Sequence, residues 1–243
     1  MELKRAVITG MGALTPLGNS LDEYWANLIA GKSGAAPITH FDASKFKTQF
    51  ACEVKGFEPT EHFDRKEARK LDPYAQYALV TATEAWTDSG LSEDAIDNDR
   101  AGVIWGSGIG GLKTFYDECS EFAKGEGTPR FNPFFIPKMI ADIAAGHISM
   151  KWNLRGPNFA TVSACASSTN SLIDSFNYIR LGHADIIVAG GSEAAVNQAG
   201  VGGFNAMKAL SQRNDSPETA SHHQALPAHR KKQTTAHRRP DQT

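Results

Sequence analysis

Residues 158–182, NFATVSACASSTNSLIDSFNYIRLG, decide the fold. A short apolar run (158–162) passes through Ser163, Ala164 and Cys165 into a stretch of helical composition that ends at Gly182. Asp185 then opens a second apolar run, 185–189, in DIIVAGG. Strands alternating with a helix in this way favour an α/β layered fold with a mostly parallel sheet. The first helical turn, Ala166-Ser167-Ser168-Thr169, carries only small side chains, so that helix end can lie close against neighbouring backbone. Cys165 then stands at a helix N-terminus, where unpaired N–H groups and the positive end of the helix dipole favour a thiolate and help hold an oxyanion. A nucleophile on a strand-to-helix turn is a recurring arrangement. A buried structural cysteine is the competing reading, and the local pattern leaves both open.

The same alternation continues outward. Residues 5–9 and 101–105 also read as strands, and VIT, GVIW and DIIVAGG lack in/out alternation, as expected of strands buried on both faces. Between the strands lie helical stretches. Residues 22–30 bring Leu21, Tyr24, Trp25 and Leu28 to helical spacing. Asp72 as N-cap and Pro73 at the first helical position begin a helix that stops near Gly90, with a small-residue stripe of Ala75, Ala78, Ala82 and Ala85. Residues 112–122 put Leu112, Phe115, Tyr116, Cys119 and Phe122 on one face. The fold class is therefore α/β, with layers of helices on a mostly parallel sheet.

Composition sets the remaining bounds. With 243 residues, 41% hydrophobic and 21% charged, the chain has the profile of a globular protein. A net charge of −2 offers no general attraction to nucleic acid. Three widely spaced cysteines suggest neither a disulfide framework nor a zinc site, hence a reducing compartment. The N-terminus shows no signal-peptide pattern and no apolar run is long enough to span a bilayer, so a cytoplasmic protein without membrane partners is expected. Residues 1–221 form the folded domain. In the tail, 222–243, the run HHQALPAHRKKQTTAHRRPDQT has no period and no apolar face, and disorder is expected there.

Five further features carry chemistry or resemble features that do. Cys119 lies on an apolar helix face and reads as core, and Cys52, in FACEV, reads as structural. Gly106-Ser107-Gly108-Ile109-Gly110-Gly111 matches G-x-G-x-x-G after a strand. The acidic residue that should end a second strand is missing, since GEGTPRFNPFF follows instead, so a glycine-lined approach to a pocket walled by Ile109 fits better than a dinucleotide site. The basic run from Arg65 to Lys70 is either a solvated face or a dock for an acidic or phosphorylated partner. His147 is either a base for a thiolate or a packing residue.

Seven stretches taken together resemble the β-ketoacyl-acyl-carrier-protein synthases, the elongating condensing enzymes of the thiolase superfamily. They are VITGMGALTPLGNS, RKEARKLDPYAQYAL, GVIWGSGIGGL, NPFFIPKMIADIAAGHISMKWNLRGPN, TVSACASSTNSL, DIIVAGGSEAAV and GVGGFNAMKALSQRNDSPETAS, in family order across residues 5–221. The resemblance implies the N-terminal half of a thiolase-like α-β-α fold. It makes Cys165 the acyl-accepting nucleophile and its N–H one half of the oxyanion hole. Ile109, Phe134 and Phe135 fall where the family's acyl pocket and dimer contact occur, and Phe204 in the loop that gates the pocket. Lys66, Arg69 and Lys70 match the patch that docks acyl carrier protein. The implied reaction is decarboxylative condensation of acyl-cysteine with malonyl carrier in fatty-acid elongation, by a homodimer, with no metal or cofactor.

The family's second half, with two catalytic histidines, a lysine and the other oxyanion donor, finds no match after Ser221. None of His222, His223, His229 and His237 stands in a family-like context, and the change of character there resembles out-of-frame translation or a fragment. The chain alone is expected to be inactive in condensation and prone to aggregate through uncovered apolar surface. Two rival readings are weaker. Non-catalytic chain-length subunits resemble the family but lack the cysteine, which is present here. Thiolases and starter enzymes that use coenzyme A are disfavoured by RKEARKLD and GFNAMKALSQRND.

Overall fold

The computed structural model describes residues 3–220. In chain order its elements are α1 (Leu21–Ile29), β1 (Ala36–Pro37), β2 (Phe50–Ala51), α2 (Arg65–Ala68), α3 (Pro73–Ser89), β3 (Ala101–Gly106), α4 (Leu112–Lys124), α5 (Phe135–Met139), α6 (Ile143–Lys151), β4 (Asn158–Thr161), α7 (Ser167–Arg180), β5 (Ile186–Gly191) and α8 (Gln198–Ala206). The main sheet is parallel in the order β4-β3-β5, with Trp105 level with Ala160 on one side and Gly190 on the other. Every residue of the central strand β3 is buried, as its unbroken apolar run predicts.

The two faces of β3 meet different helices. Val103 and Trp105 pack with Tyr74, Ala75 and Ala78 of α3 and with Ala144, Ala145 and Ile148 of α6. Gly106 faces the other way, onto the first turn of α7. The result is the expected α-β-α layering. α7 approaches through serines: Ser167, Ser171 and Ser175 are its buried residues, one turn apart. Ser171 Oγ donates to Ile104 O and accepts from Gly190 N, so the hydroxyl bridges two strands. Three apolar residues of α7, Leu172, Ile173 and Phe176, point outward, and the first two are 55% and 52% exposed.

α3 obeys the local code closely. Asp72 caps it by accepting from Tyr74 N, Pro73 is its first residue, and Gly90 ends it at φ +65°. The Asp72 carboxylate also accepts from Thr114 N and Oγ1, at 3.0 and 2.7 Å, and so ties the start of α3 to the first turn of α4. Burial raises its pKa, and these hydrogen bonds offset part of that penalty.

The expected strand at residues 5–9 is not paired. Its segment is anchored at its ends instead. Lys4 N donates to Arg180 O and Lys4 Nζ pairs with Asp185. Beyond the segment, Gly10 and Gly12 lie flush on α3, where a Cβ would meet Ala85 O at 2.2 Å and Thr81 O at 2.1 Å. Met11 N and Ala13 N donate to the carboxylates of Asp88 and Glu84 on the same helix. Ile8, at the middle of the segment, is 81% exposed. The tail expected to be disordered, 222–243, lies outside the described residues.

Candidate active site around Cys165

β4 ends at Thr161, and a single 3-10 turn, Ala164–Ala166, carries Cys165 before α7 begins at Ser167. The turn is tied from below. Ser167 Oγ accepts from Ser163 N and donates to Ala164 O, and Asn170 Nδ2 donates to Ser163 Oγ. Thr161 Oγ1 donates to Ser167 O. Ala164 sits at φ +53°, a left-handed conformation that costs a non-glycine residue about 1 kcal/mol or more. No glycine or asparagine marks this position, so the sequence carries no local sign of it. The strained residue lifts Cys165 clear: it is exposed, and among the described residues its N–H has no hydrogen-bond acceptor. The small first turn of α7 does pack closely, since a Cβ on Gly106 would meet Ser167 C at 2.4 Å and one on Gly191 would meet Ser168 Cβ at 2.5 Å.

The glycine loop after β3 lies beside this turn. A Cβ on Gly108 would stand 3.2 Å from Ala164 O. The loop's amides are already engaged, with Gly108 N and Ile109 N both donating to Glu193 Oε2, at 2.7 and 3.1 Å. Gly110 N donates to the buried Ser107 hydroxyl. The carboxylate takes up the two amides that a phosphate would need, and its own charge repels an anion. Burial raises the Glu193 pKa, while the hydrogen bonds from Gly108, Ile109 and Ala194 oppose the rise. Glu193 did not stand out in GGSEAAV; the only sign there is one acidic residue in a run of small ones after β5, a strand expected to be buried on both faces but only half-buried here.

Ile109 is exposed, with its loop seated on the end of α5: a Cβ on Gly110 or Gly111 would meet Met139 O at 2.7 Å or Lys138 O at 2.3 Å. Phe134 immediately precedes α5 and is exposed, and Phe135 is its first residue. Phe135 stacks with Phe131 at 5.4 Å and with Phe115 of α4 at 6.3 Å. The Ile109 loop and the two phenylalanines thus flank the same short helix, α5, at its two ends. Phe204 is not in a loop: it lies inside α8, exposed, because the helix capped by Asn197 runs on to Ala206.

The basic run folds as the one-turn helix α2, capped by Asp64, which accepts from Lys66 N and Glu67 N. Lys66, Arg69 and Lys70 are exposed, and none is in an ion pair among the described residues. Lys70 Nζ stands 5.5 Å from the centroid of the Phe134 ring, so the cationic surface adjoins the start of α5.

The remaining candidates separate. Cys119 is only partly covered, since the apolar face of α4 meets an open aromatic cluster, and Cys52 is exposed at the end of the two-residue strand β2. Neither is a core residue. His147 is half-buried on α6, and burial lowers its pKa despite the opposing charge of Glu67. No cluster of metal-ligating side chains occurs among the described residues. The four tail histidines lie outside them. No described helix is long and apolar enough to cross a membrane.

Comparison with known proteins gives one consistent answer. Residues 4–228 match the family described as beta-ketoacyl synthase, N-terminal domain. The chain is 44% identical over 221 residues to 3-oxoacyl-(acyl-carrier-protein) synthase 2 of Coxiella burnetii, covering 91% of this chain and 53% of that protein. It is 42% identical to the protein of the same name from Synechocystis, with the same coverage. Among solved structures, a beta-ketoacyl synthase from Burkholderia phymatum superposes with a TM-score of 0.78 at 28% identity, covering 90% of this chain and 53% of that one. The chain thus spans about half the length of the curated relatives it matches.

Proposed function

The chain belongs to the β-ketoacyl synthase family, matching its N-terminal domain, and on that premise we propose that it carries the acyl-accepting site of a β-ketoacyl-acyl-carrier-protein synthase. Cys165 is the nucleophile. Its sulfur attacks the thioester carbonyl of an acyl carrier protein, and the carbonyl oxygen becomes an oxyanion that the free Cys165 N–H helps to hold. The carbon–sulfur bond to the carrier's phosphopantetheine then breaks, and the departing thiolate takes a proton. The product is an acyl-cysteine thioester, ready to condense with the carbanion left by decarboxylation of a malonyl carrier. The observation that carries this reading is the exposed cysteine on a strained turn between a parallel strand and a helix, with its amide unengaged.

Ile109, Phe134 and Phe135 line the acyl path on this reading, with Phe204 on α8 as its gating side chain. Lys66, Arg69 and Lys70 dock the acidic carrier. The protein works as a cytoplasmic homodimer and needs neither metal nor cofactor. The outward apolar face of α7 supports a further layer packed over it, as a chain of the relatives' length would supply. Condensation is proposed for a chain of that length. A polypeptide of these 243 residues alone is expected to accept acyl groups without forming β-ketoacyl product. Product at near the rate of a longer relative would overturn that division of labour.

The docking surface supplies a direct test. The triple variant Lys66→Glu, Arg69→Glu and Lys70→Glu is expected to weaken binding of acyl carrier protein about tenfold or more at low salt, a loss that shrinks as salt screens the charges. Transfer from an acyl-coenzyme A donor should change little. Unchanged carrier affinity at low salt would reduce α2 to a solvated face, and a preference for coenzyme A over carrier would favour the thiolase reading.

A further inference from the structure

Glu193 belongs to none of the roles assigned so far, yet it is placed where the reaction would feel its loss. It lies two residues beyond the end of β5. The strand end is fixed by Ser192 N donating to Gly106 O and by Trp105 Nε1 donating to Ser192 Oγ at 2.9 Å. From that rigid base the side chain reaches across to the β3–α4 loop, where one oxygen, Oε2, accepts from two consecutive amides, Gly108 N and Ile109 N. The same glycine lies against the carbonyl of Ala164, the residue before Cys165. One carboxylate oxygen therefore joins the end of β5 to the loop that presents Ile109, and that loop lies against the turn that presents the nucleophile.

Resting on the acyl-transfer reading above, we propose that Glu193 is a positioning residue for acyl-chain recognition, holding the Gly108–Ile109 backbone so that the Ile109 side chain stands at a fixed distance from Cys165. Two consecutive N–H groups pointing the same way need a single acceptor between them, and no other side chain acceptor engages them. Without it they must turn toward water, and the loop swings with Ile109 attached. The requirement is for an acceptor oxygen rather than for charge, because both donors held by Oε2 are neutral backbone amides. Glutamine can keep that oxygen in place. Gly108 completes the device, since a Cβ there would stand 2.9 Å from Glu193 Oε2 and would push the carboxylate off its two donors.

The test is acyl transfer to Cys165 in the full chain, followed by intact mass, with long-chain and two-carbon acyl carriers as donors and iodoacetamide as a probe of bare thiol reactivity. Glu193→Ala is expected to raise KM and lower kcat/KM for the long-chain donor about tenfold or more, the scale of loss when a positioning contact goes. The two-carbon donor, which does not reach Ile109, should lose far less, and iodoacetamide should react at an unchanged rate. Glu193→Gln should restore the long-chain rate. If Glu193→Ala does not fold, Gly108→Ala carries the test, with the same selective loss expected while thermal unfolding stays near the parent. Equal losses for both donors and for iodoacetamide, or no loss in Gly108→Ala, would overturn the proposal. A parent chain that transfers no acyl group from either donor would instead overturn the acyl-transfer reading, and this inference with it.

Discussion

Cys165→Ser is expected to bring acyl transfer from acyl carrier protein below detection, a loss of at least about a thousandfold, because an unassisted hydroxyl is a far weaker nucleophile than a thiolate at neutral pH. The measurement is intact mass after incubation with an acyl carrier, followed by peptide mapping. The structure makes the mapping informative. Cys52 is exposed and Cys119 partly so, so a general alkylating reagent reaches more than one thiol. Acyl transfer asks for more than exposure. It needs a donor for the oxyanion and a surface that brings the carrier close. Cys165 has a free amide of its own and a turn adjoining the Ile109 loop. Cys52 follows a two-residue strand of the small β1-β2 sheet, and no helix begins directly after it. The acyl group should therefore map to Cys165 alone in the parent, even where alkylation marks Cys52 as well. An adduct that persists on Cys52 in Cys165→Ser would mean the nucleophile has been misassigned.

How much of this could be read from the residues depends on how local the determining force is. The limits of α3 are written in Asp72, Pro73 and Gly90, each acting within a turn of itself, and the helix runs as those residues predict. β3 is legible because a strand buried on both faces needs apolar residues throughout. The run at 5–9 looks the same but is unpaired. An apolar pattern reports a wish for burial and says nothing of which partner supplies it. α7 misleads in the opposite sense. Its serines face the sheet, where close approach and hydroxyl hydrogen bonds outweigh apolar area, while Leu172, Ile173 and Phe176 face outward. At the site, Cys165 at a strand-to-helix turn was visible from the small residues that follow it. The left-handed Ala164 was not, because that conformation is imposed by the hydrogen bonds of Ser167 on both sides of the turn. Glu193 escaped for a similar reason: its partners lie 84 and 85 positions away in the chain.

Gly106→Ala is expected to destabilise the domain by about 3 kcal/mol or more, a large share of the roughly 5–15 kcal/mol that holds a typical domain together. The added methyl would meet Ser167 C, Ser167 O and Ser168 N at 2.4, 2.5 and 2.6 Å. These are backbone atoms at the start of a helix, so no rotamer change relieves the clash. Either α7 lifts from the sheet or β3 shifts in its ladder. Lifting α7 would break the Ser171 bridge between Ile104 O and Gly190 N and carry Cys165 away from the glycine loop. Acyl transfer should fall together with stability. Gly203→Ala is the control that separates this from a general intolerance of glycine substitution. Gly203 lies within α8 with nothing within 4 Å of a new Cβ, so alanine there should stabilise by about 0.5–1 kcal/mol through helix propensity. Urea unfolding of both variants beside the parent measures the contrast. If Gly106→Ala unfolded within about 1 kcal/mol of the parent, the close seat of α7 on β3 would be wrong, and with it the placement of the nucleophile at the end of the sheet.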